Sequence, residues 1–261
     1  MRPLIGLNVC LGEMAAPFKA RAFCHLAYID AVVAGGGIPI IIPPYTDRTL
    51  LEEALAPLHG FCLIGGPDYD PAHFGGHPQA PKELMHPRRH TFDLWLMAWL
   101  LKKRLPTLGI CGGHQLLSIA LGGALVQDLK KEWVNHGQNA HATKVLLHAG
   151  DYRKAAQKDA FRHEVKLAPG SLIARIIGGK KVSANSYHHQ AVQPDRVGEG
   201  LIATAWTEDG VIEVLEPARK KHFLLGVQWH PERQSGEPRQ LAIFQALVEE
   251  SKIKSPSIAP S

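Results

Sequence analysis

Cysteine is scarce in this chain, with four residues in 261: Cys10, Cys24, Cys62 and Cys111. They lie far apart, with no C-x-x-C pair and no zinc-ligand spacing, which argues against a disulfide framework or a cysteine-based metal site. Long apolar runs are also missing. None approaches the roughly twenty residues a membrane-spanning helix needs. The opening, Met1-Arg2-Pro3-Leu4-Ile5-Gly6-Leu7-Asn8-Val9, has too short an apolar run for a secretory leader and begins like a first strand, so a cytoplasmic setting is expected. The formal charge is +5, but lysine and arginine fall in small groups such as Lys102-Lys103-Arg104 and Arg219-Lys220-Lys221, with no aromatic-basic interleaving. A nucleic-acid partner is therefore not expected, nor is a membrane partner. There are no internal repeats.

What the chain does have is an alternation of short apolar strands and amphipathic helices. Strands are expected at Leu4 to Val9, Ile38 to Ile42 and Phe61 to Ile64. Helices are expected over Ala20 to Ala34, Leu50 to Leu55 and Arg88 to Lys103. This order predicts an α/β fold with a doubly wound, mostly parallel, flavodoxin-like sheet. Shorter runs after residue 160 (His163 to Leu167, Val182 to Asn185, Leu201 to Thr207, Val211 to Leu215, Phe223 to Gln228) predict a small antiparallel β extension. A closing helix is expected from Glu237 to Ser251. One domain over 1–251, a disordered Ser/Pro-rich tail at 252–261 and a loop at 131–160 beside the active site complete the expected layout.

Two stretches carry the chemistry. Gly109-Ile110-Cys111-Gly112-Gly113 has the form G-x-C-x-G, preceded by an apolar strand and followed by an apolar helix pattern. Such a strand–turn–helix lifts a thiol to the end of a sheet, at a helix N-terminus whose dipole favours thiolate. The three remaining cysteines sit in apolar contexts and are read as core filler. His230-Pro231-Glu232 supplies a base and an orienting carboxylate. In extended chain the two side chains share a face, and Pro231 is expected to keep helix from forming there. Together they have the nucleophile–base–orienter logic of triad enzymes.

These stretches, with Gly226-Val227-Gln228-Trp229 leading into the histidine and the upstream loop Gly65-Gly66-Pro67, resemble the class I glutamine amidotransferases. Asn185-Ser186-Tyr187-His188-His189-Gln190 and Tyr69-Asp70-Pro71-Ala72-His73-Phe74-Gly75 are similar to segments of the γ-glutamyl-γ-aminobutyrate hydrolase-like (peptidase C26) branch. The resemblance implies a hydrolase in which Cys111 attacks a γ-glutamyl amide and His230 and Glu232 complete the triad. It implies backbone N–H groups of Gly66 and Gly112 as the oxyanion hole. Gln115, Ser186, Tyr187, His188 and Gln190 are the implied substrate contacts. No cofactor and no metal are implied; the expected partner is a small γ-glutamyl substrate, of the kind met in polyamine breakdown, and a homo-oligomer is compatible with it. At Gly112, where hydrolases of this branch often carry arginine, the chain is closer to glutamine-using synthetases. A glutaminase subunit that feeds ammonia to a separate synthetase therefore stays open, as does a non-catalytic binding module.

Overall fold

The computed structural model describes residues 1–13, 20–78, 83–133, 146, 148, 161–219 and 222–253. In chain order the elements begin with β1 (Leu4–Leu7), β2 (Cys10–Glu13), β3 (Ala20–Phe23), α1 (Leu26–Ala34), β4 (Ile38–Ile41), α2 (Arg48–Leu55) and β5 (Gly60–Leu63). Then come α3 (Pro87–Lys103), β6 (Thr107–Ile110), α4 (Gly112–Ala120) and β7 (Leu125–Val126). The second half holds β8 (Arg162–Leu167), α5 (Leu172–Ile177), β9 (Lys181–Asn185), β10 (Ala191–Val192), β11 (Leu201–Thr207), β12 (Ile212–Pro217), β13 (Leu224–Val227) and α6 (Pro238–Ile253).

Nine strands form one sheet in the order β4-β1-β5-β6-β13-β12-β11-β8-β9. The pairs from β4 through to β13 are parallel. From β13 onward the pairing is antiparallel. The expected wound parallel sheet is present, and its antiparallel extension continues the same sheet rather than standing apart. Both faces are covered, which is why the parallel strands are continuous apolar runs. On one face Cys62, Ile64, Leu108 and Ile110 pack with Tyr28 and Val32 of α1 and Phe244 and Leu247 of α6. On the other, Phe61 and Leu63 pack with Leu51 of α2, Phe92 and Leu96 of α3 and Leu116 of α4. Alternate strand residues serve opposite layers, as the two-residue period requires.

Three expectations are corrected. The helix read over Ala20 to Ala34 begins only at Leu26; Ala20–Phe23 is a strand paired with β2. Ala20, Arg21 and Ala22 are exposed, so no apolar face drives helix there, and the hairpin supplies backbone partners instead. The second helix starts at Arg48 because the Asp47 carboxylate caps it, accepting from the Thr49 and Leu50 N–H groups. Helix α6 runs to Ile253, two residues into the segment read as tail; 254–261 lie outside the described residues. Of the expected loop 131–160, residues through Trp133 close a π-type turn that starts at Leu129, Leu146 and His148 are described, and the rest lie outside. Among the described residues no helix is long and apolar enough to cross a membrane.

Candidate active site

Parallel strands put their C-terminal ends at one edge of the sheet, where wound folds bind ligands. Here that edge collects the ends of β1, β5, β6 and β13, and with them Asn8, Gly65, Cys111 and Gln228. Register sets the meeting: Leu63 pairs with Gly109, and Val227 with Ile110. Cys111 then leaves the strand with φ 51° and ψ −103°, a left-handed conformation that costs a non-glycine residue about 1–3 kcal/mol. Its N–H still donates to the Val227 carbonyl at 2.8 Å. The flanking glycines have a steric cause. A Cβ on Gly109 would lie 2.6 Å from the Gly113 carbonyl oxygen, and one on Gly113 would lie 2.5 Å from the Leu63 carbonyl oxygen. Only hydrogen fits at either position. Burial pushes up the thiols of Cys10 and Cys62 and raises that of Cys24 to about 11, in keeping with inert packing.

The Cys111 sulfur and the Glu232 carboxylate both act on the His230 ring, whose Nδ1 lies 2.7 Å from Glu232 Oε1. The expected extended geometry is not what brings these two together. Pro231–Gln234 forms a short 3-10 turn, with proline at the first turn position it favours, and the turn folds Glu232 back onto the imidazole. Asn185 fixes the backbone from the other side: it accepts from the His230 N–H at 2.9 Å and donates to the His230 carbonyl at 2.8 Å. We expect Asn185→Ala to lower kcat/KM about 10- to 100-fold while Glu232 still holds the ring, measured by steady-state kinetics.

Burial alone would lower the His230 pKa, but the Glu232 carboxylate and the Cys111 sulfur outweigh it and raise it to about 9. A histidine near 6.5 when unfolded and near 9 when folded stabilises the fold fully below about pH 6.5. That contribution is lost as pH rises through about 9. Thermal melts of wild type and Glu232→Gln should therefore differ most near pH 6 and converge towards pH 9.

The Gly65-Gly66 loop faces the cysteine. A Cβ on Gly65 would lie 3.1 Å from His230 Cε1 and 3.4 Å from Cys111 Cβ. A Cβ on Gly112 would stand 3.3 Å from the Gly66 nitrogen, so the backbones of Gly66 and Gly112 are neighbours beside the sulfur. A buried polar network holds the loop. Tyr28 Oη accepts from the Gly65 N–H at 3.1 Å, and Arg89 Nη2 donates to the Gly65 carbonyl at 2.9 Å. Arg89 is paired with Asp93 at 3.2 Å, and Asp93 also accepts from Asn8 and Tyr69 at 2.9 and 2.8 Å. Asn8 in turn accepts from the Ile64 N–H.

The family model for peptidase C26 matches residues 3–232. The chain belongs to this family. A Mycobacterium tuberculosis protein named as a glutamine amidotransferase is 34% identical over 95% of this chain and 74% of its own length. The γ-glutamyl-γ-aminobutyrate hydrolase of Escherichia coli K12 is 29% identical over 90% of this chain and 87% of its own. Among solved structures, a glutamine amidotransferase from Thermotoga maritima superposes with TM-score 0.56 at 14% identity, covering 98% of this chain and 100% of its own. The glutaminase domain of Trypanosoma brucei CTPS gives 0.57 at 14% identity, with coverage of 97% and 95%. These two share the fold.

Within this peptidase C26 frame, the structure separates the expected substrate contacts. Gln115 Nε2 donates to the Gln190 carbonyl at 3.2 Å and to Gln228 Oε1 at 3.3 Å, and Gln228 Nε2 lies 3.6 Å from the Cys111 sulfur. Tyr187 sits against His230, its ring 6.1 Å from the imidazole and 4.7 Å from the Arg233 guanidinium. The Gln190 amide is buried with no hydrogen-bond partner among the described residues. Ser186 and His188 turn elsewhere: Ser186 Oγ donates to the His148 carbonyl at 2.8 Å, and His188 faces Glu213. Alternation along extended chain does not apply across 186–190, because β9 ends at Asn185. His114 is fully buried against Gly226, and burial lowers its pKa to about 4, so it is neutral filling. Sequence reasoning missed Tyr28, Arg89, Asp93 and Asn185 as site residues. Only Asn185 stood inside a motif; the others are single polar residues in apolar elements.

Proposed function

We propose that this chain is a cysteine-dependent hydrolase of γ-glutamyl amides, acting through a thioester on Cys111. One observation carries the reading: a strained cysteine beside an imidazole that a carboxylate holds from behind, next to two adjacent glycine amides. The Cys111 sulfur attacks the δ-carbonyl carbon and the carbonyl electrons move to oxygen, where the Gly66 and Gly112 N–H groups receive the charge. As the intermediate collapses, protonated His230 gives its proton to the departing amine. Neutral His230 then takes a proton from water, whose oxygen attacks the thioester and releases glutamate. Glu232 accepts from Nδ1–H throughout and keeps Nε2 towards sulfur. Gln115, Tyr187 and Gln190 are the side chains best placed to read the glutamyl group. With the His230 proton held up to about pH 9, kcat/KM is expected to fall on the alkaline side with an apparent pKa near that value.

The leaving amine favoured is γ-aminobutyrate, on the name of the Escherichia coli relative and its near-complete coverage. Purified protein incubated alone with γ-glutamyl-γ-aminobutyrate, γ-glutamyl-putrescine or glutamine should release glutamate from the amine conjugates. Glutamine hydrolysis that appears only with a second protein present would favour instead the glutaminase role. The names of the Mycobacterium tuberculosis relative and of both structural neighbours keep that role in view.

A further inference from the structure

Three histidines converge on one buried glutamate next to the active-site strands. Glu213 of β12 is fully buried, and no well-aligned hydrogen bond reaches either carboxylate oxygen among the described residues, although the His163 and His188 rings hold its pKa well below the usual carboxylate range. Around Oε1 stand His163 Nε2 at 3.3 Å, His188 Nε2 at 3.5 Å and His148 Nδ1 at 3.9 Å. The donor atoms of His148, His163 and Glu213 all lie within 4.8 Å of one another. A carboxylate left without hydrogen bonds this deep costs several kcal/mol unless a cation answers it.

The outer contacts of the histidines decide which cation. His148 Nε2 lies 3.0 Å from Asp209 Oδ2, and His188 Nδ1 lies 3.0 Å from the Gln190 carbonyl oxygen. Both partners are acceptors, so the proton on each ring sits on the outer nitrogen. In the neutral rings the inner nitrogens of His148 and His188 then present lone pairs to a carboxylate that also presents lone pairs, and the His148 nitrogen lies 3.5 Å from Ser186 Oγ as well. Acceptors facing acceptors repel, unless a second ring proton or a metal ion lies between them. Imidazoles anchored outward on a carboxylate or a carbonyl, with the other nitrogen free, are the usual surroundings of a bound transition metal. A tetrahedral ion with bonds of about 2.0–2.1 Å would set its ligand atoms about 3.3–3.4 Å apart, close to the separation of His163 Nε2 from Glu213 Oε1. Charge also balances: a dication meets Glu213 and the outer-sphere Asp209.

We propose that His148, His163 and Glu213 bind a divalent transition-metal ion, with zinc the ion that two imidazoles and one carboxylate suit best and His188 standing beside the carboxylate. Ser186 acquires a role there: its hydroxyl and the His188 N–H both donate to the His148 carbonyl, at 2.8 and 3.0 Å, and fix that ligand. The ion ties β8 and β12 to His148, whose carbonyl the segment after β9 holds. The Gln228 N–H donates to the Glu213 carbonyl, and Asn185 clamps His230, so the site braces both sides of the triad. It escaped the sequence reading because cysteine spacing was the zinc signal sought, and these ligands come from three separate segments.

The test uses the full chain without an affinity tag, stripped with a chelator, reloaded with one equivalent of zinc and desalted. Elemental analysis should find about one zinc per chain, and reloading should raise Tm by roughly 5 °C or more. Cobalt in its place should give the intense visible bands of a four-coordinate site. His163→Ala and Glu213→Gln should retain less than about a tenth as much zinc, whereas Cys111→Ala, and His73→Ala in the separate His73–His90 pair, should retain all of it. Wild-type protein that keeps no zinc after desalting and melts at the same temperature with and without it would overturn the proposal, even if a variant fails to fold. So would zinc retained by both His163→Ala and Glu213→Gln.

Discussion

Cys111→Ala is expected to lower kcat/KM for γ-glutamyl-γ-aminobutyrate by about 10⁴-fold or more, with stability changed by no more than about 1 kcal/mol. The substitution removes one sulfur atom and keeps the Cβ, so the strained turn, the Val227 hydrogen bond and the glycine contacts all remain. His230→Ala should cost nearly as much. The double variant should be little worse than either, because a nucleophile without its base and a base without its nucleophile are equally idle. Glutamate release measured alongside thermal melts separates lost chemistry from lost fold. A Cys111→Ala protein that folds normally and retains a tenth of the activity would remove the thiol from the mechanism.

The second large effect lies in the loop opposite. Gly66→Ala would place a methyl group 2.2 Å from Arg89 Nη1 and 2.8 Å from Cζ. The guanidinium has little room to yield, since Asp93, the Gly65 carbonyl and the Cys10 sulfur already hold it at 3.2, 2.9 and 2.9 Å. The loop must move instead, carrying the Gly66 N–H away from the sulfur. A loss of about 10²–10³ in kcat is expected from the displaced donor, with about 1–3 kcal/mol of stability from overpacking. Arg89→Met should act mainly through stability, at about 3–5 kcal/mol, because it leaves the buried Asp93 without its cation. Combining the two changes should cost less than their sum, since methionine no longer fills the space the new methyl needs. Strict additivity in kinetics and melting would mean that Arg89 does not hold the loop.

Much of this arrangement was legible in the chain. Continuous apolar strands bounded by glycine and proline gave the wound sheet, and the strand-end rule put Gly66 and Cys111 on one edge. The turn at Cys111 was readable because sterics demand glycine on both sides of it. What stayed hidden depends on contacts that no local pattern encodes. Ala20–Phe23 looks helical by spacing, yet Ala20, Arg21 and Ala22 are exposed, only Phe23 reaches the core, and the segment pairs as a hairpin. Arg89 and Asp93 are an ordinary i, i+4 pair on a helix until the fold seals them under the Gly65 loop. Ser186 and His188 carry a motif that points to the substrate, but beyond the last paired residue of β9 the chain turns them towards Glu213.

Intact-mass spectrometry of enzyme quenched in acid during turnover of γ-glutamyl-γ-aminobutyrate tests the mechanism most directly. The predicted result is a population heavier by one glutamyl group, mapped by peptide digestion to Cys111 and missing from Cys111→Ala. Steady glutamate release with the adduct on another residue, or with activity undiminished in Cys111→Ala, would contradict it.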